Sequence, residues 1–236
     1  MKDRKKSIPL DKRIIFALDV ASDKEAKKWV EKLEGHVKFF KVGLQLFLAG
    51  WFPIVDWIVK RDLEVMVDLK FFDVPKTVGS AVSQLKGRGI SFTTVHGNDK
   101  ILKAAVEHKG ETQILAVTVL TSLDRGDLTD LGFECDIEEL VLARARRALD
   151  IGCDGVVSSG LEAPKLRHTL GDNFLVVVPG VRPMDNCKKD DQKRIVDVKS
   201  AFTNGADHVV VGRPIREADD PLSVVRKMQR EISEVL

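Results

Sequence analysis

The 236-residue sequence alternates eight times between a short, β-favouring apolar run and a longer segment with helical periodicity. The predicted strands cover residues 14–20, 37–42, 64–71, 91–96, 113–119, 153–157, 174–178 and 207–211. The predicted helices cover residues 25–33, 44–60, 75–86, 99–107, 137–149, 161–169, 192–204 and 222–234. This alternation is typical of an α/β protein with parallel strands inside and helices outside, and eight units in about 220 residues predict a closed (β/α)₈ TIM barrel.

An open, doubly wound sheet is the alternative fold with the same alternation of strands and helices. Such sheets often carry a Gly-x-Gly-x-x-Gly turn after the first strand, whereas Asp19-Val-Ala-Ser-Asp23 stands at that point. No linker rich in Pro, Gly or Ser divides the chain. We therefore expect one barrel domain over residues 1–236, with residues 1–12 forming a short N-terminal arm.

Composition excludes several classes of partner. With 38 Lys and Arg against 36 Asp and Glu, the net charge of +2 gives no strong field for nucleic acid or an anionic membrane. No segment approaches the roughly 18 consecutive apolar residues of a membrane-spanning helix, and the basic start lacks the apolar core of a signal peptide. Cys135, Cys153 and Cys187 are too far apart for a zinc or dithiol motif, so we expect a cytoplasmic protein.

Each of the first three predicted strands ends in charged residues. Asp19 ends the first strand, Lys41 ends the second, and Asp68 and Lys70 end the third. Side chains alternate along a strand, so Asp68 and Lys70 should share a face, and Asp73 follows three residues later. In a TIM barrel the carboxyl ends of the strands build the active site, so these charges should meet at one rim.

Each charge also has an ordinary structural interpretation. Lys41 could extend its charged end to solvent at the rim, Asp19 could cap the next helix, and Asp68 with Lys70 could be a simple ion pair. Several strands that deliver interleaved acids and bases to one rim are better explained by a catalytic array. Neighbouring carboxylates favour charged lysines, which predicts a proton donor rather than a Schiff-base nucleophile.

The last two predicted strands are followed by an anion-binding pattern. Val178-Pro-Gly-Val-Arg182 and Val211-Gly-Arg213 each place an arginine just after a glycine turn. Backbone N–H groups at glycine and bidentate guanidinium groups both suit phosphate, which TIM barrels often bind in these two loops. His96 is interpreted as a structural histidine, and the sequence contains no convincing metal-ligand spacing.

These motifs resemble the orotidine 5′-phosphate decarboxylase family. The segment Asp68-Leu-Lys-Phe-Phe-Asp-Val-Pro-Lys-Thr77 is similar to the family signature, and further blocks occur in family order between about residues 14 and 221. These blocks are Ala17-Leu-Asp19, Lys41-Val-Gly43, Ala116-Val-Thr-Val-Leu-Thr-Ser122, Asp154-Gly-Val-Val157, Pro179-Gly-Val-Arg182, Asp191-Gln192 and Val211-Gly-Arg-Pro214. The resemblance implies decarboxylation of orotidine 5′-phosphate to UMP in pyrimidine biosynthesis, without a cofactor or a metal.

The resemblance also implies a role for each matching residue. Lys70 would protonate C6 of the pyrimidine, Asp68 would lie beside the leaving carboxylate, and Lys41 would complete the charge array. The substrate-binding residues implied are Asp19 and Lys41 for the ribose, Thr121 for the pyrimidine, and Arg182, Gln192, Gly212 and Arg213 for the phosphate.

Family members are homodimers, so Asp73 and Thr77 are expected to serve the neighbouring subunit's site. Phe72 is a departure from the family pattern, because many bacterial members have histidine there. This difference bears on local packing, since the position is not a catalytic one.

Two other functions fit the strand-end pattern less well. A magnesium-dependent sugar-phosphate decarboxylase or synthase of the same barrel group shares the Asp-x-Lys-x-x-Asp core, but the continuation to Thr77 and Asp191-Gln192 favour the nucleotide enzyme. A non-catalytic barrel that binds phosphorylated ligands would keep Arg213 but would not need this set of lysines and acids.

Overall fold

The computed structural model describes residues 8–182 and 196–236, which contain eight parallel strands closed into a barrel. The strands are β1 (Ile14–Ala17), β2 (Phe39–Gly43), β3 (Glu64–Phe71), β4 (Phe92–Val95), β5 (Gln113–Val117), β6 (Gly155–Val157), β7 (Leu175–Val178) and β8 (His208–Val211). They pair in chain order, and β8 closes the ring against β1 through Ile14↔Val209 and Phe16↔Val211. The predicted TIM barrel is thus confirmed, and the open sheet is excluded.

Helices connect the strands and surround the barrel. Within the described residues they are α1 (Leu10–Arg13), α2 (Asp23–Leu33), α3 (Leu44–Val59), α4 (Pro75–Ser83), α5 (Asp99–His108), α6 (Arg125–Asp130), α7 (Ile137–Ile151), α8 (Ala163–Leu170), α9 (Val198–Thr203), α10 (Arg213–Arg216) and α11 (Pro221–Ser233). Local signals explain several starts: the Ser22 side chain accepts from the Glu25 N–H at the start of α2, and Pro75 occupies the first turn of α4. No helix in these two ranges is long and apolar enough to cross a membrane.

Some boundaries differ from those expected from the sequence. The bounds of β3 match the prediction, but β1 ends at Ala17 rather than at residue 20, because its pairing with β2 stops at Ala17↔Lys41. The short helices α1, α6 and α10 were not predicted, since four to six residues carry little periodic signal.

The single domain and its N-terminal arm stay predictions in part. Residues 1–7 and 183–195 lie outside the described ranges, and the helix expected from residue 192 is described from Val198. Residues 10–12 of the expected arm belong to α1, which lies against the foot of the barrel. There the buried Arg13 side chain donates hydrogen bonds to the carbonyl oxygens of Ile8 and Asp207.

Two apolar layers hold the barrel, as the alternation of strand side chains requires. Outward-facing residues such as Phe16 and Val42 pack under the helices, while Ile15, Phe39 and Phe92 fill the interior. Near the carboxyl ends of the strands, the side chains that face the barrel interior are smaller, among them Ala17, Val117, Val157 and Val210. These four side chains leave room for a cavity at the carboxyl ends of the strands.

Candidate active site

A cavity of about 480 Å³ opens at the carboxyl ends of the strands. Ala17, Val117, Val157 and Val210 line its apolar floor. Eight of the site residues predicted from the sequence line the same cavity: Asp19, Lys41, Asp68, Lys70, Thr121, Arg182, Gly212 and Arg213. The structure therefore brings together residues from six strand ends, and the first and last of them, Asp19 and Arg213, are 194 positions apart in the chain (213 − 19 = 194).

Four of these residues form a chain of alternating charges. Lys41 Nζ donates to Asp19 Oδ1 at 2.8 Å and lies 3.7 Å from Asp68 Oδ2, while Lys70 Nζ donates to Asp68 Oδ1 at 2.9 Å. The inner pair is well shielded, with side chains 10% exposed for Lys41 and 12% for Asp68, whereas Lys70 is 37% exposed. Lys70 is thus the ammonium group most open to a ligand in the cavity.

Lys70 reaches this position through a break in the regular strand. The β3–β4 register shifts between Val67 and Phe71, and the Lys70 backbone adopts φ 49°, a left-handed conformation that is unusual for a residue with a side chain. The Lys70 N–H donates to Thr94 Oγ1 at 2.9 Å, which holds this strained backbone in place. Simple alternation therefore predicted the meeting of Asp68 and Lys70, but a bulge produces it.

Thr94 is a site residue that sequence reasoning missed. Its buried hydroxyl accepts from the Lys70 N–H and donates to Asp68 Oδ1 at 2.9 Å, so one side chain positions both charged partners. In the sequence, Thr94 is one of many β-branched strand residues. Only the parity of its position on β4, facing the strand end that carries Asp68, could have pointed to it.

The charge state of Asp68 follows from this environment. Burial alone would raise the pKa of its carboxyl group, but the charges of Lys41 and Lys70 and the hydrogen bonds from Lys70 and Thr94 outweigh burial. The net effect holds the pKa of Asp68 below its ordinary value. A permanent carboxylate therefore lies at the centre of the array.

The part of the cavity after β7 and β8 carries arginines. Arg182 follows the Pro179-Gly180 turn, in which Gly180 has φ 72°, and its N–H donates to the Val196 carbonyl at 3.1 Å. Arg213 is the first residue of α10 and follows Gly212, where an added Cβ would lie only 3.2 Å from the Ala17 side chain. Two arginines and two glycines from the loops after β7 and β8 thus line one part of the cavity, an arrangement whose chemistry would suit an anion.

Arg216 also lines the cavity, although the sequence did not single it out. It lies on α10, three residues after Arg213, and its Nη1 donates to the Asp19 carbonyl oxygen at 2.5 Å. The spacing of the two arginines is the signal that could have identified it.

Two predicted site residues within the described ranges, Asp73 and Thr77, are not among those lining this cavity. Asp73 and Thr77 are exposed, and the Asp73 carboxylate accepts a hydrogen bond from the Val74 N–H at 2.6 Å. Gln192 lies outside the described residues, as does Cys187. Asp73 and Thr77 thus lie where another molecule could contact them.

His96 lies apart from the charge array and lines a second cavity. Its ring packs edge-on against Phe72 with 5.3 Å between centroids, and burial, Arg144 and Lys70 lower the pKa of its imidazole. Among residues 8–182 and 196–236, no group of three or more His, Cys, Asp or Glu side chains is arranged to hold a metal ion.

The comparisons with known proteins cover nearly the whole chain. Residues 12–228 match the model of the "Orotidine 5'-phosphate decarboxylase / HUMPS family". The chain is similar to orotidine 5'-phosphate decarboxylase of Methylococcus capsulatus, with 58% identity over 98% of this chain and 96% of that protein. It is also similar to the protein of that name from Xanthomonas euvesicatoria pv. vesicatoria, with 45% identity over 95% and 93% of the two chains.

Solved structures agree with the sequence comparisons. Orotidine 5'-phosphate decarboxylase from Lactobacillus acidophilus superimposes with a TM-score of 0.81 and 33% identity, covering 94% of this chain and 99% of that one. An uncharacterized conserved protein from Geobacillus kaustophilus gives a TM-score of 0.80 at 30% identity, over 93% and 99%. The family match from Lys12 to Met228, together with these relatives, confirms the resemblance: the chain belongs to the orotidine 5'-phosphate decarboxylase / HUMPS family.

Proposed function

We propose that the protein decarboxylates orotidine 5′-phosphate to UMP in pyrimidine biosynthesis, with no cofactor and no metal. The observation that carries this proposal is the Lys70 ammonium group, held 2.9 Å from the largely shielded Asp68 carboxylate and open to the cavity. The family membership and the relatives named for this activity support the same substrate.

The reaction needs a group that stabilises negative charge at one carbon atom. When the bond between C6 and the carboxylate breaks, carbon dioxide leaves and the electron pair stays on C6. The Lys70 ammonium stabilises this pair and then transfers a proton to C6, which leaves a neutral amine that solvent reprotonates. Lys41 is the weaker candidate for this step, since it is 10% exposed and bonded to Asp19.

The remaining residues orient the substrate. The phosphate lies at Arg182, Gly212 and Arg213, with Gln192 as a further ligand, and this end supplies binding energy far from the reacting carbon. The ribose hydroxyls contact Asp19 and Lys41, and Thr121 contacts the pyrimidine. This pose directs the C6 carboxylate toward Asp68, whose negative charge opposes the bound carboxylate until carbon dioxide departs.

The test is turnover by purified protein dialysed against EDTA, followed as loss of orotidine 5′-phosphate absorbance and appearance of UMP. Lys70→Met should lower kcat by at least about a thousandfold because it removes the proton donor. Lys199→Met is the matched control, since that lysine is exposed and pairs with Glu234 on the outside. A folded wild-type protein with no turnover would contradict the proposal.

Treatment with the chelator also distinguishes the proposed function from the main alternative. A magnesium-dependent sugar-phosphate decarboxylase or synthase would lose its activity in EDTA and regain it when Mg²⁺ is added. We expect full turnover in EDTA.

We further propose that the protein is a homodimer in which Asp73 and Thr77 enter the partner's site. Both side chains are exposed, and they are absent from the lining of their own chain's cavity. The large apolar side chains of Phe72 and Val74 flank Asp73 and are 69% and 62% exposed. On the adjacent β2–α3 unit, Leu48 is 73% exposed, so this rim offers apolar area for a subunit interface.

Mixing two inactive variants tests the crossing of Asp73. In a dimer of Lys70→Ala with Asp73→Ala, one of the two sites would contain an intact Lys70 and an intact Asp73. Random mixing should then restore about a quarter of the wild-type sites. Lys70→Ala mixed with Asp68→Ala is the control and should stay inactive, since both residues serve the same site. If the first mixture recovered no activity, Asp73 would serve the site of its own chain and the proposed crossing would be wrong.

A cytoplasmic location is part of the same proposal. Cys135 and Cys153 are both free thiols, and burial raises the pKa of Cys153 to about 12. Unpaired cysteines suit a reducing compartment, in which the substrate is also expected.

A further inference from the structure

The short helix α10 contacts both ends of the site. Its first residue, Arg213, lies on the phosphate side of the cavity, and its last residue, Arg216, lies beside the first strand end. Residues three apart on a helix occupy neighbouring positions, so the two guanidinium groups extend from one side of α10. The side chain of Arg216 is only 22% exposed.

The contact of Arg216 falls just beyond β1. Sheet pairing between β1 and β2 stops at Ala17↔Lys41, and Leu18 donates one last backbone hydrogen bond to the Lys41 carbonyl at 3.0 Å. Arg216 Nη1 then holds the Asp19 carbonyl oxygen at 2.5 Å. The backbone of Asp19 is therefore held from the end of the chain, 197 residues away.

The carboxylate of Asp19 depends on that backbone. It is 46% exposed, and its bond from Lys41 at 2.8 Å is an end-on contact that does not by itself fix the orientation of the carboxylate. A shift of the Asp19 carbonyl would move both carboxylate oxygens relative to Lys41. The charge-assisted hydrogen bond from Arg216 to this carbonyl would oppose such a shift.

We infer that Arg216 is a positioning residue, which sets the Asp19 carboxylate for the ribose hydroxyl and joins it through α10 to the phosphate ligand Arg213. This inference rests on the proposed function, because it takes Asp19 as the ribose ligand. It assigns Arg216 a part in substrate recognition that the sequence motif does not contain. A phosphate bound at Arg213 would steady α10 and, through Arg216, the ribose site.

The experiment compares two substrates that differ only at the ribose. Steady-state kcat and KM are measured with orotidine 5′-phosphate and with one deoxy analogue, for wild type, Arg216→Met and Arg216→Lys. The analogue is whichever of the 2′-deoxy and 3′-deoxy nucleotides loses its disadvantage in Asp19→Ala, which identifies the hydroxyl that Asp19 binds. Methionine keeps the apolar length of the side chain without its charge. Arg226→Met is the matched control, because Arg226 is exposed on α11 and is not among the residues that line the cavity. Thermal melting confirms that each variant is folded, and Arg216→Gln replaces any variant that is not.

The decisive quantity is the ratio of kcat/KM between the two substrates. We expect wild type to favour the ribonucleotide by roughly ten- to a hundredfold, since the analogue lacks a hydrogen bond to a charged group. Arg216→Met should lower kcat/KM for the ribonucleotide by roughly tenfold or more and bring the ratio to within about threefold of unity. Arg216→Lys should restore part of the ratio, and Arg226→Met should match wild type.

An unchanged ratio in Arg216→Met would overturn the inference. Equal losses for both substrates would show that Arg216 acts on the phosphate directly, since that group is common to the two. A wild type with no ribose preference would overturn it as well. Failure of the proposed function would look different, because wild type would then turn over neither nucleotide.

Discussion

Replacing Thr94 with valine removes one hydroxyl group from beneath the charge array and changes little else. Thr94 Oγ1 donates to Asp68 Oδ1 and accepts from the Lys70 N–H, both at 2.9 Å, and the side chain is fully buried. Valine has nearly the same shape, so the change deletes two hydrogen bonds without leaving a large cavity. Lys70 keeps its left-handed backbone but loses the contact that holds it.

The magnitude follows from the two bonds. The bond to the Asp68 carboxylate is worth about 1.5–3 kcal/mol, and the backbone N–H of Lys70 adds about 1 kcal/mol when it is left without its acceptor. We therefore expect Thr94→Val to lower the free energy of unfolding by about 2–4 kcal/mol. With Lys70 and Asp68 less well fixed, kcat/KM should fall by roughly ten- to a hundredfold.

Thr93 provides the matched control on the same strand. Its hydroxyl is also fully buried, but it donates to the Val67 carbonyl at 2.9 Å, away from the charged residues. Thr93→Val should cost about 1 kcal/mol of stability and leave kcat/KM within about threefold of wild type. Urea denaturation gives the stability, and steady-state kinetics with orotidine 5′-phosphate gives kcat/KM. Equal kinetic losses in Thr93→Val and Thr94→Val, or no loss in Thr94→Val, would refute the reasoning.

Three further predictions test other parts of the structure. Arg213→Ala should raise KM by at least about tenfold because a phosphate ligand is lost, and an unchanged KM would place the anion elsewhere. Gly43→Ala should lower kcat/KM in a protein of near-normal melting temperature, since the new Cβ would lie 3.0 Å from Lys41 Nζ and 3.3 Å from Asp19 Oδ1. Burial lowers the pKa of His208 to about 4 from 6.5, so the unfolded chain binds the proton first and stability should fall as pH drops from 6.5 to 4. His208→Phe should remove up to about 3 kcal/mol of that pH dependence, as measured by urea denaturation at several pH values, and an unaltered slope would contradict this origin.

The features that the sequence predicted well depend on local patterns. The bounds of β3 follow from its β-favouring residues and from the turn before Pro75, and both are contained within 12 positions (75 − 64 + 1 = 12). Charged residues at strand ends pointed to Asp19, Lys41, Asp68 and Lys70, because every parallel barrel gathers these ends at one rim. Fold class and the main cavity residues were thus accessible without coordinates.

The features that the sequence did not predict depend on contacts between segments that are distant in the chain. Thr94 matters because of the register shift between β3 and β4, and such a shift is not visible in a run of β-branched side chains. Arg216 matters because α10 is adjacent to the end of β1, which requires that the barrel be closed. The charged residues themselves were predictable because a barrel gathers its strand ends, whereas the contacts from Thr94 and Arg216 that position them were not.

Because β1 must pair with β8 to close the barrel, catalytic activity should report whether folding is complete. The charge array comes from β1 to β3 and the cavity arginines from the loops after β7 and β8, and sheet pairing joins these two parts of the barrel between β1 and β8, for example at Ile14↔Val209. The β1–β8 contact closes the longest loop between paired strands, so it carries the largest entropy cost of loop closure. Contacts between residues so distant in the chain tend to form late. During refolding, helical signal should therefore return before turnover does. A partly assembled barrel could bury most of its apolar surface and still be an inert protein.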